Sequence, residues 1–489
     1  MAIDFAWLQS RVIAPHTMPK APVRPTLAFL LLGACTFAAP LPAAEAPAAP
    51  APKPADLFNA QKVWDVNLTL TAEQWKAMEP VQGPRPSRRA GGGFLQGAEG
   101  SRNGIASAFG IQYNYAHAQV DFGTWVLEDV GARYKGNGTF LTSRDTLKRS
   151  IKLDLNQFKK GQKLAGLHQI NLHNSVRDPS NTNETIAYRL FRDCQVPAPR
   201  TTFAQVKVTV PGVHDHRYFG LYNVVEDVGG AFLQEHFGTT QGALLKPVTP
   251  TLFGYLGEDW KAYNQTYDPK TTLTDGQKRR IIETCKFMSN ATDEEFAAKL
   301  GDYLDLDNAA RYFALTVWMV DLDGILGPGQ NYYLHLHPET LKFSFIPWDQ
   351  DQGFGQFPRG TIEQRIGLSI KKPWTGNNRF LDKLFKTESF RVQYLAKLKD
   401  FNATALRPEK LSRQVDELGA LLRPAVTAES PERLGSFNKA IAGETFPLVM
   451  GPGYREPVPV KPIKAFVAAR WKSVDDQLAG RTSGETLAR

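Results

Sequence analysis

Cysteine is scarce in this sequence, and the motifs of several common enzyme classes are missing. Three cysteines occur among 489 residues, which excludes a disulfide-rich scaffold and leaves too few ligands for a zinc site built on cysteine. The sequence contains neither GxSxG nor HExxH, so it gives no support to an α/β-hydrolase or a zinc metalloprotease. No long run of lysine and arginine alternates with aromatic residues, and a dedicated nucleic-acid-binding protein is therefore not indicated.

The composition is that of a globular protein with a basic surface. Hydrophobic residues make up 42% of the chain and charged residues 22%, and the length is sufficient for two or three lobes. The net charge of +9 favours polyanionic partners such as nucleotide phosphates, acidic proteins and anionic cell-wall polymers, without choosing among them.

The first 46 residues have the features of an export signal. Lys20 and Arg24 precede the apolar run Leu27–Leu32, and small residues follow. The apolar run is too short to span a bilayer stably, so residues 1–46 are predicted to form a signal peptide, with Met18 as a candidate start. The alternative is a buried N-terminal helix. The prediction makes the mature protein secreted, periplasmic or attached to the cell surface.

A lipid anchor is another outcome of the same segment. The sequence LGAC at 32–35 resembles a lipobox, in which Cys35 would be acylated and become the first residue. The Pro/Ala-rich segment 47–58 is predicted to be an extended linker, which suits a tethered lipoprotein as well as a cleaved secreted protein. Acylation would anchor the protein to a membrane without making it span the bilayer.

Beyond the linker, the hydrophobic pattern predicts an α+β fold in two parts. Residues 59–250 contain many period-two segments and are predicted to form a strand-rich N-lobe, with a flexible Gly/Arg-rich insertion at 82–106. Residues 251–480 are mostly helical in pattern and form the predicted C-lobe, in which a strand pair at 331–337 and 342–347 lies between helices. The predicted elements include a strand at 125–134 and helices at 379–386 and 463–478.

In this folded part, two cysteines, two histidines and one Pro/Gly-rich segment allow more than one interpretation. Cys194 and Cys285 would form one disulfide if they meet, which the sequence does not show. His335 and His337 point to one side of a strand and are interpreted as surface histidines on an edge strand rather than as metal ligands. Residues 424–460 are rich in proline and glycine, a composition typical of loops.

The strongest chemical signal is a pair of carboxylates that follows a buried strand. Asp349 and Asp351 come after the apolar segment 343–348 and precede glycines at 353 and 355. Residues i and i+2 of a strand point to the same side, and two carboxylates on one side repel each other unless a cation lies between them. A divalent cation with oxygen ligands fits this pair. The alternative is a solvated acidic turn.

A second acidic pair and an asparagine lie upstream. Asp321 and Asp323 end a predicted helix, and Asn331 opens the next strand. The order Asp, Asn, strand pair, Asp is that of kinase catalytic loops, in which one Asp accepts the hydroxyl proton while the Asn and the later Asp bind Mg²⁺. In this order either Asp323, which precedes Gly324, or Asp321 would be the proton acceptor. For one of the two, charge at a helix end is the expected role.

Six segments in order resemble the motifs of the spore-coat CotH family. The strongest are PWDQDQGFG at 347–355 and LDGILGPGQNYYLHLHP at 322–338, which are similar to that family's WDxD…FG and DG…NYYLY segments. The other four are RYKGNGT at 133–139, LKRSIKLDL at 147–155, LFRDCQVPAPR at 190–200 and YFGLYNVVE at 218–226. Each segment alone is a weak signal, but six in order are specific.

The resemblance implies a divergent protein-kinase-like fold that transfers the γ-phosphate of ATP to serine or threonine of an extracellular or surface protein, with Mg²⁺ or Mn²⁺. Carried over by position, the implied nucleotide-contacting residues are Lys135, Arg149, Lys152, Glu184 and Glu226. Asn331, Asp349 and Asp351 are the implied metal ligands, and Asp323 is the catalytic residue. Glu184 would pair with a lysine, although a capping box formed with Asn181 explains it as well.

The sequence also departs from protein kinases and leaves two other functions open. It has neither a GxGxxG loop nor an HRD motif, and Gly136–Gly138 supplies only a short flexible loop. Arg149 stands where the family often has lysine. The first alternative is a catalytically inactive kinase-fold module that acts as a cell-surface or coat scaffold or binding protein. The second is nucleotidyl transfer.

Overall fold

The computed structural model of the chain describes residues 53–85, 94–449 and 456–488. The predicted signal peptide, with Cys35, lies outside the described residues, as does the predicted linker up to residue 52. Within the described ranges, no helix is both long and apolar enough to cross a membrane.

The strands of the described residues lie mostly in the first half of the chain. They are β1 (Val63–Thr69), β2 (Val81–Gln82), β3 (Ile111–Gln112), β4 (Ala116–Phe122), β5 (Trp125–Tyr134), β6 (Ile151–Asp154), β7 (Gln169–His173), β8 (Thr201–Val210), β9 (His214–Glu226), β10 (Ala243–Leu245), β11 (Tyr332–Leu336), β12 (Phe343–Pro347), β13 (Phe446–Leu448) and β14 (Val458–Val460).

Seven of these strands close into a barrel in the order β1–β4–β5–β6–β7–β9–β8. Strand β1 pairs with β8 in parallel and thereby closes the ring, which removes exposed strand edges. Every second side chain of these strands points into the barrel, and these side chains fill its interior. In β4, for example, the residues that point inward and are buried are Ala116, Ala118, Val120 and Phe122.

The helices of the described residues lie mainly after residue 230. They are α1 (Pro54–Leu57), α2 (Ala72–Ala77), α3 (Ile105–Ala108), α4 (Gly138–Ser143), α5 (Asn183–Asp193), α6 (Gly230–Phe237), α7 (Lys261–Tyr267), α8 (Asp275–Asn290), α9 (Asp293–Tyr303), α10 (Leu306–Trp318), α11 (Ile362–Ile366), α12 (Arg379–Lys386), α13 (Glu388–Ala403), α14 (Pro408–Thr427), α15 (Pro431–Ala442) and α16 (Ile463–Leu478). Thr274 and Thr292 begin α8 and α9 with capping boxes. Strands and helices together confirm the predicted α+β class.

Helix α10 lies at the centre of the helical part. Its residues from Asn308 to Trp318 are buried with the exception of Arg311, and it packs against α13 and β12. Arg470 of α16 is fully buried and donates to the carbonyls of Val317, at 3.0 Å, and Trp318, at 3.1 Å. A cation that satisfies the last carbonyls of a helix stabilises that helix end. The turn that follows α10, with its aspartates, is therefore firmly held.

A three-stranded sheet, β10–β11–β12, lies beside α10. Because β11 is its central strand, the prediction of surface histidines on an edge strand is wrong for His335. His335 is fully buried, and neither of its ring nitrogens has a hydrogen-bond partner among the described residues. Burial lowers the pKa of His335 to about 4.

Partly buried ion pairs join the barrel to the connection between α14 and α15. Lys148 Nζ lies 2.7 Å from Glu429 Oε1, and the same oxygen accepts a hydrogen bond from the Leu221 N–H at 2.7 Å. Arg433 lies 3.7 Å from Glu429 and also donates to the Asn181 side chain, two residues before α5. We call Lys148, Glu429 and Arg433 the ion-pair cluster.

Two segments are more ordered than their composition predicts. Within 424–460, Ser430 caps α15, and β13 pairs with β14. The described part of the insertion 82–106 includes the start of α3 and is hydrogen-bonded to the rest of the protein. Asn103 Nδ2 donates to the Gln265 carbonyl at 2.6 Å, and Gln96 Nε2 donates to Thr266 Oγ1 at 3.1 Å. The expectation of a loose insertion is wrong for residues 94–106, because these polar side chains find partners far away in the sequence.

The two cysteines of the described residues do not pair. Cys194 and Cys285 are both buried and free. Cys285 Sγ lies 3.0 Å from Tyr267 Oη inside the helical part. The sequence leaves open whether Cys194 and Cys285 form a disulfide, and in the structure they are two separate thiols.

Candidate active site

Four of the predicted site residues line one cavity of about 550 Å³. They are Asp323, Asn331, Asp349 and Asp351. Asp323 lies in the turn after α10, Asn331 directly precedes β11, and Asp349 follows β12. Because β11 and β12 are antiparallel, the start of one strand lies beside the end of the other, which brings Asn331 next to Asp349. We call this the acidic cavity.

The two carboxylates after β12 reach the acidic cavity through a turn and not through strand alternation. Strand β12 ends at Pro347, Asp349 has left-handed backbone angles (φ 55°, ψ 60°), and Asp351 lies in a 3₁₀ turn over Gln350–Gln352. The geometric argument from strand alternation is therefore wrong, although both carboxylates line the same cavity.

Helix α5 holds this turn in place. The Asp349 N–H donates to Tyr188 Oη at 2.9 Å, and Asn183 Nδ2 donates to the Asp351 carbonyl at 2.8 Å. Both partners are fully or almost fully buried. Polar contacts of this kind in a buried setting fix a backbone geometry that would otherwise be strained.

Asp323 is surrounded by amide donors. Gln330 Nε2 lies 3.0 Å from Oδ1, while Gln352 Nε2 and Asn331 Nδ2 lie 3.0 and 3.1 Å from Oδ2. Burial raises the pKa of Asp323 to about 7, against the opposing effect of the Arg177 guanidinium. A carboxyl that is oriented by three donors and titrates near neutrality suits a general base.

Asp321, the alternative to Asp323, has a different environment. It accepts a hydrogen bond from Gln350 Nε2 at 3.0 Å and lines neither this cavity nor the neighbouring one described below. Of the acidic pair after α10, Asp323 is the one that faces the cavity.

The acidic cavity offers hard oxygen ligands. Burial raises the pKa of the Asp351 carboxyl well above its ordinary value, and the neighbouring Asp349 carboxylate adds to this shift. Asn331 uses its Nδ2 as a donor to Asp323, so its Oδ1 remains an acceptor. A divalent cation would remove the repulsion among these groups, and Mg²⁺ and Mn²⁺ prefer such oxygen ligands. The residues therefore fit the metal that the sequence resemblance implies.

A second cavity, of about 430 Å³, adjoins the first and contains lysines. Lys135, Lys152 and Lys246 line it, and we call it the cationic cavity. Burial lowers the pKa of Lys135 well below its ordinary value and that of Lys246 to about 7, and neighbouring lysines add to both shifts. The two cavities share the wall residues Asn137, Val248, Gln330, Asn331 and Asp349.

Glu184 reaches Lys135 through a histidine. Lys135 Nζ lies 2.6 Å from His173 Nε2, and His173 Nδ1 lies 2.9 Å from Glu184 Oε2. Because the carboxylate is the acceptor, Nδ1 donates and Nε2 accepts from the lysine. The predicted lysine–glutamate pairing is therefore indirect. The capping-box alternative is wrong, since the N-cap residue is Thr182 and the Asn181 side chain contacts Asn223 and Arg433 instead. His173, Glu184 and Asp349 also bring three potential ligand atoms within 4.8 Å of one another.

Arg149 and Glu226, two predicted nucleotide contacts, lie outside both cavities. Arg149 pairs with Glu79 at 2.7 Å and lies over the ring of Tyr134. Glu226 accepts from the backbone N–H of Arg200 at 2.9 Å and from its Nε at 3.0 Å. The structure does not bring these two predicted residues into either cavity, because both side chains are paired with opposite charges elsewhere.

Three further residues of the site were not found from the sequence. Asp227 lies 3.0 Å from Lys152 Nζ, Lys246 lines the cationic cavity, and His173 bridges Lys135 and Glu184. For Lys246, the signal that could have found it is a charge at the end of the buried strand β10. The same signal marks His173, the last residue of β7, and Asp227, which directly follows β9.

Comparison with known protein families shows which family the chain belongs to, which the geometry of the site alone does not show. The family described as CotH kinase protein matches residues 132–445, which is nearly two thirds of the chain and includes Lys135, Asp323 and Asp351. No curated protein matches the chain. On the extent of this match, the chain belongs to the CotH kinase family.

Proposed function

We propose that this protein is an atypical, ATP-dependent protein kinase that transfers the γ-phosphate to serine or threonine of an extracellular or surface protein. The main support is that residues from distant parts of the chain meet. Asp323, Asn331 and the two aspartates of the turn after β12 line one cavity, and Lys135 and Lys152 line the cavity beside it. We interpret the barrel-containing part and the helical part as the two lobes of a divergent kinase-like fold.

In this proposal the phosphates of ATP occupy the cationic cavity and the acceptor hydroxyl enters the acidic cavity. The hydroxyl oxygen forms a bond to the γ-phosphorus while the bond from that phosphorus to the bridging oxygen breaks, and ADP leaves. Asp323 accepts the hydroxyl proton, for which a pKa near 7 is suited. Bound Mg²⁺ or Mn²⁺ supplies neutralisation of the phosphate charge.

We also propose that the protein acts outside the cytoplasm. The support is the signal-like segment 1–46, with its basic flank, short apolar run and small residues. Cleavage would release a secreted or periplasmic protein, and acylation at Cys35 would give a surface lipoprotein. Mass spectrometry of the mature N-terminus distinguishes the two, since a lipidated Cys35 carries the mass of its acyl chains.

The test is a labelling reaction with purified protein, a generic protein acceptor, and either γ-labelled or α-labelled ATP in the presence of Mn²⁺ or Mg²⁺. Protein labelled from γ-labelled ATP alone supports phosphoryl transfer, and label from α-labelled ATP supports nucleotidyl transfer. Asp323→Asn keeps the shape of the side chain and removes the proton acceptor, so labelling should fall by about 10²- to 10⁴-fold.

The matched control is Asp215→Asn, because the Asp215 side chain is 98% exposed and should leave labelling unchanged. Labelling that Asp323→Asn does not reduce contradicts the proposed role of that residue. Protein that neither nucleotide nor metal stabilises against heat, and that transfers no label, favours the scaffold function.

A further inference from the structure

The register of three barrel strands places a row of polar side chains on one wall of the cationic cavity. Arg133 of β5 lies opposite Lys152 of β6, and Lys152 lies opposite Asn171 of β7. Residues opposite one another on neighbouring strands point to the same face, and all three line the cavity. Lys135, two residues after Arg133, and Gln169, two residues before Asn171, line it as well. The apolar faces of these strands fill the barrel interior instead.

The charges of the cationic cavity are unbalanced. Its lining contains six cationic residues, Arg102, Arg133, Lys135, Lys152, Lys246 and Lys270, and three acidic ones, Asp227, Asp268 and Asp349. Lys152 pairs with Asp227 and Lys270 with Asp268. The other four cations have no carboxylate within 4 Å in the described ranges 53–85, 94–449 and 456–488. Such an excess of basic groups fits a polyanion, whose negative charge would favour the protonated form of Lys135 and Lys246.

The aromatic rings of the cavity are not available to a nucleobase. Trp348 and Tyr333 are only 5% and 6% exposed. Lys135 and Lys246 lie over the Trp348 ring, at 5.3 and 4.9 Å from its centre, and Lys246 lies 5.0 Å from the centre of Tyr333. Bases bind proteins chiefly by stacking on free aromatic faces or in apolar slots. The aliphatic lining consists of Val228, Leu244 and Val248 within the described part of the chain.

We propose that the cationic cavity recognises a chain of phosphates and does not discriminate among bases, so that it binds ATP, UTP and inorganic tripolyphosphate alike. Its use as the donor site rests on the proposed kinase function, whereas the recognition itself does not. Phosphate oxygens meet Lys135, Lys152 and Lys246 as point charges. Nothing in the wall formed by the polar row provides the apolar contact that would favour adenine.

The binding test is isothermal titration calorimetry of the purified protein with Mg²⁺ and each of four ligands: ATP, UTP, tripolyphosphate and adenosine. We expect Kd values for ATP and UTP within about threefold of each other, tripolyphosphate within about tenfold of them, and no binding of adenosine. A contact that recognises a base by stacking is worth about 5- to 150-fold in affinity. A preference of tenfold or more for ATP over UTP, or measurable binding of adenosine, overturns the proposal.

Two lysine substitutions on the cavity wall share one control, Arg149→Met, which lies three positions before Lys152. Lys152→Met and Lys246→Met should each weaken the binding of ATP, UTP and tripolyphosphate by a similar factor, about 10- to 100-fold. Arg149→Met removes a cation that faces Glu79 outside the cavity and should leave all three Kd values within about twofold. Circular dichroism identifies a variant that fails to fold. If both lysine variants fold and bind every triphosphate normally, the cavity is not the phosphate site and the proposal is wrong.

Transfer is measured separately, so that the two proposals fail in different ways. Binding without base preference in a protein that transfers no phosphate supports the recognition proposal and contradicts the kinase function. Transfer from ATP with a tenfold or greater preference over UTP supports the kinase function and overturns the recognition proposal.

Discussion

The ion-pair cluster gives the sharpest test of what holds the barrel to the helical part. Glu429 accepts Lys148 Nζ at 2.7 and 2.9 Å and the Leu221 N–H at 2.7 Å, and its side chain is only 10% exposed. Glu429→Gln keeps the shape and one acceptor but leaves the lysine and Arg433 without a counter-charge. Removing one partner of a buried pair costs about 3–5 kcal/mol. Since Lys148 is 19% exposed, we expect the lower end, about 3 kcal/mol.

The measurement is the free energy of unfolding in urea, followed by circular dichroism. Glu432→Gln, in the exposed first turn of α15, is the control and should change stability by about 0.5 kcal/mol or less. The double variant Lys148→Met, Glu429→Met removes the unpaired lysine and should recover part of the loss, while Arg433 and the Leu221 N–H still lack their partner. A cost below about 1 kcal/mol for Glu429→Gln would refute the view that this cluster is a buried, coupled interaction.

Three further predictions concern protonation, the active-site turn and the thiols. His335 has a pKa of about 4 in the folded protein and near 6.5 in the unfolded chain, so between these pH values the unfolded chain binds one more proton. The free energy of unfolding should therefore fall by about 3 kcal/mol as the pH drops from 6.5 to 4. Urea titrations of His335→Leu should lack that part of the pH dependence. Tyr188→Phe removes the acceptor of the Asp349 N–H and should lower the free energy of unfolding by about 1–2 kcal/mol. It should also weaken the binding of Mn²⁺ measured by calorimetry. Unchanged Mn²⁺ binding would contradict the role of α5 in positioning the turn. Because Cys194 and Cys285 are free, dithiothreitol should leave the melting temperature unchanged, and a drop would indicate a disulfide.

Local patterns predict individual elements well and long-range pairing poorly. The strand Trp125–Tyr134 and the helices Arg379–Lys386 and Ile463–Leu478 have the bounds that the sequence predicts, because alternation, caps and helical periodicity are properties of neighbouring residues. The parallel pairing of β1 with β8, which closes the barrel, joins residues that are far apart in the chain. Nothing in either segment alone specifies that partner, so the sequence predicts the strands but not the closed ring.

Composition misleads at α15. Residues 424–460 are rich in proline and glycine, yet Ser430 caps the helix and Pro431 occupies its first turn. Proline at that position is favourable, because its missing N–H has no partner there and its φ angle suits a helix. The same residue type that indicates a loop therefore begins a helix, and the position of Pro431 after a capping serine is the signal that composition hides.

The predictions for the site differ from the structure in which side chains face the cationic cavity. Arg149 and Lys152 are three residues apart, and both are plausible phosphate ligands by charge. Strand β6 begins only at Ile151, so the alternation that directs Lys152 into the row with Arg133 does not extend back to Arg149, which turns to Glu79 instead. Resemblance to a family carries over positions, but the register of neighbouring strands decides which of those positions faces the cavity. Measured affinities of the Lys152 and Arg149 variants therefore test that register as directly as they test the ligand.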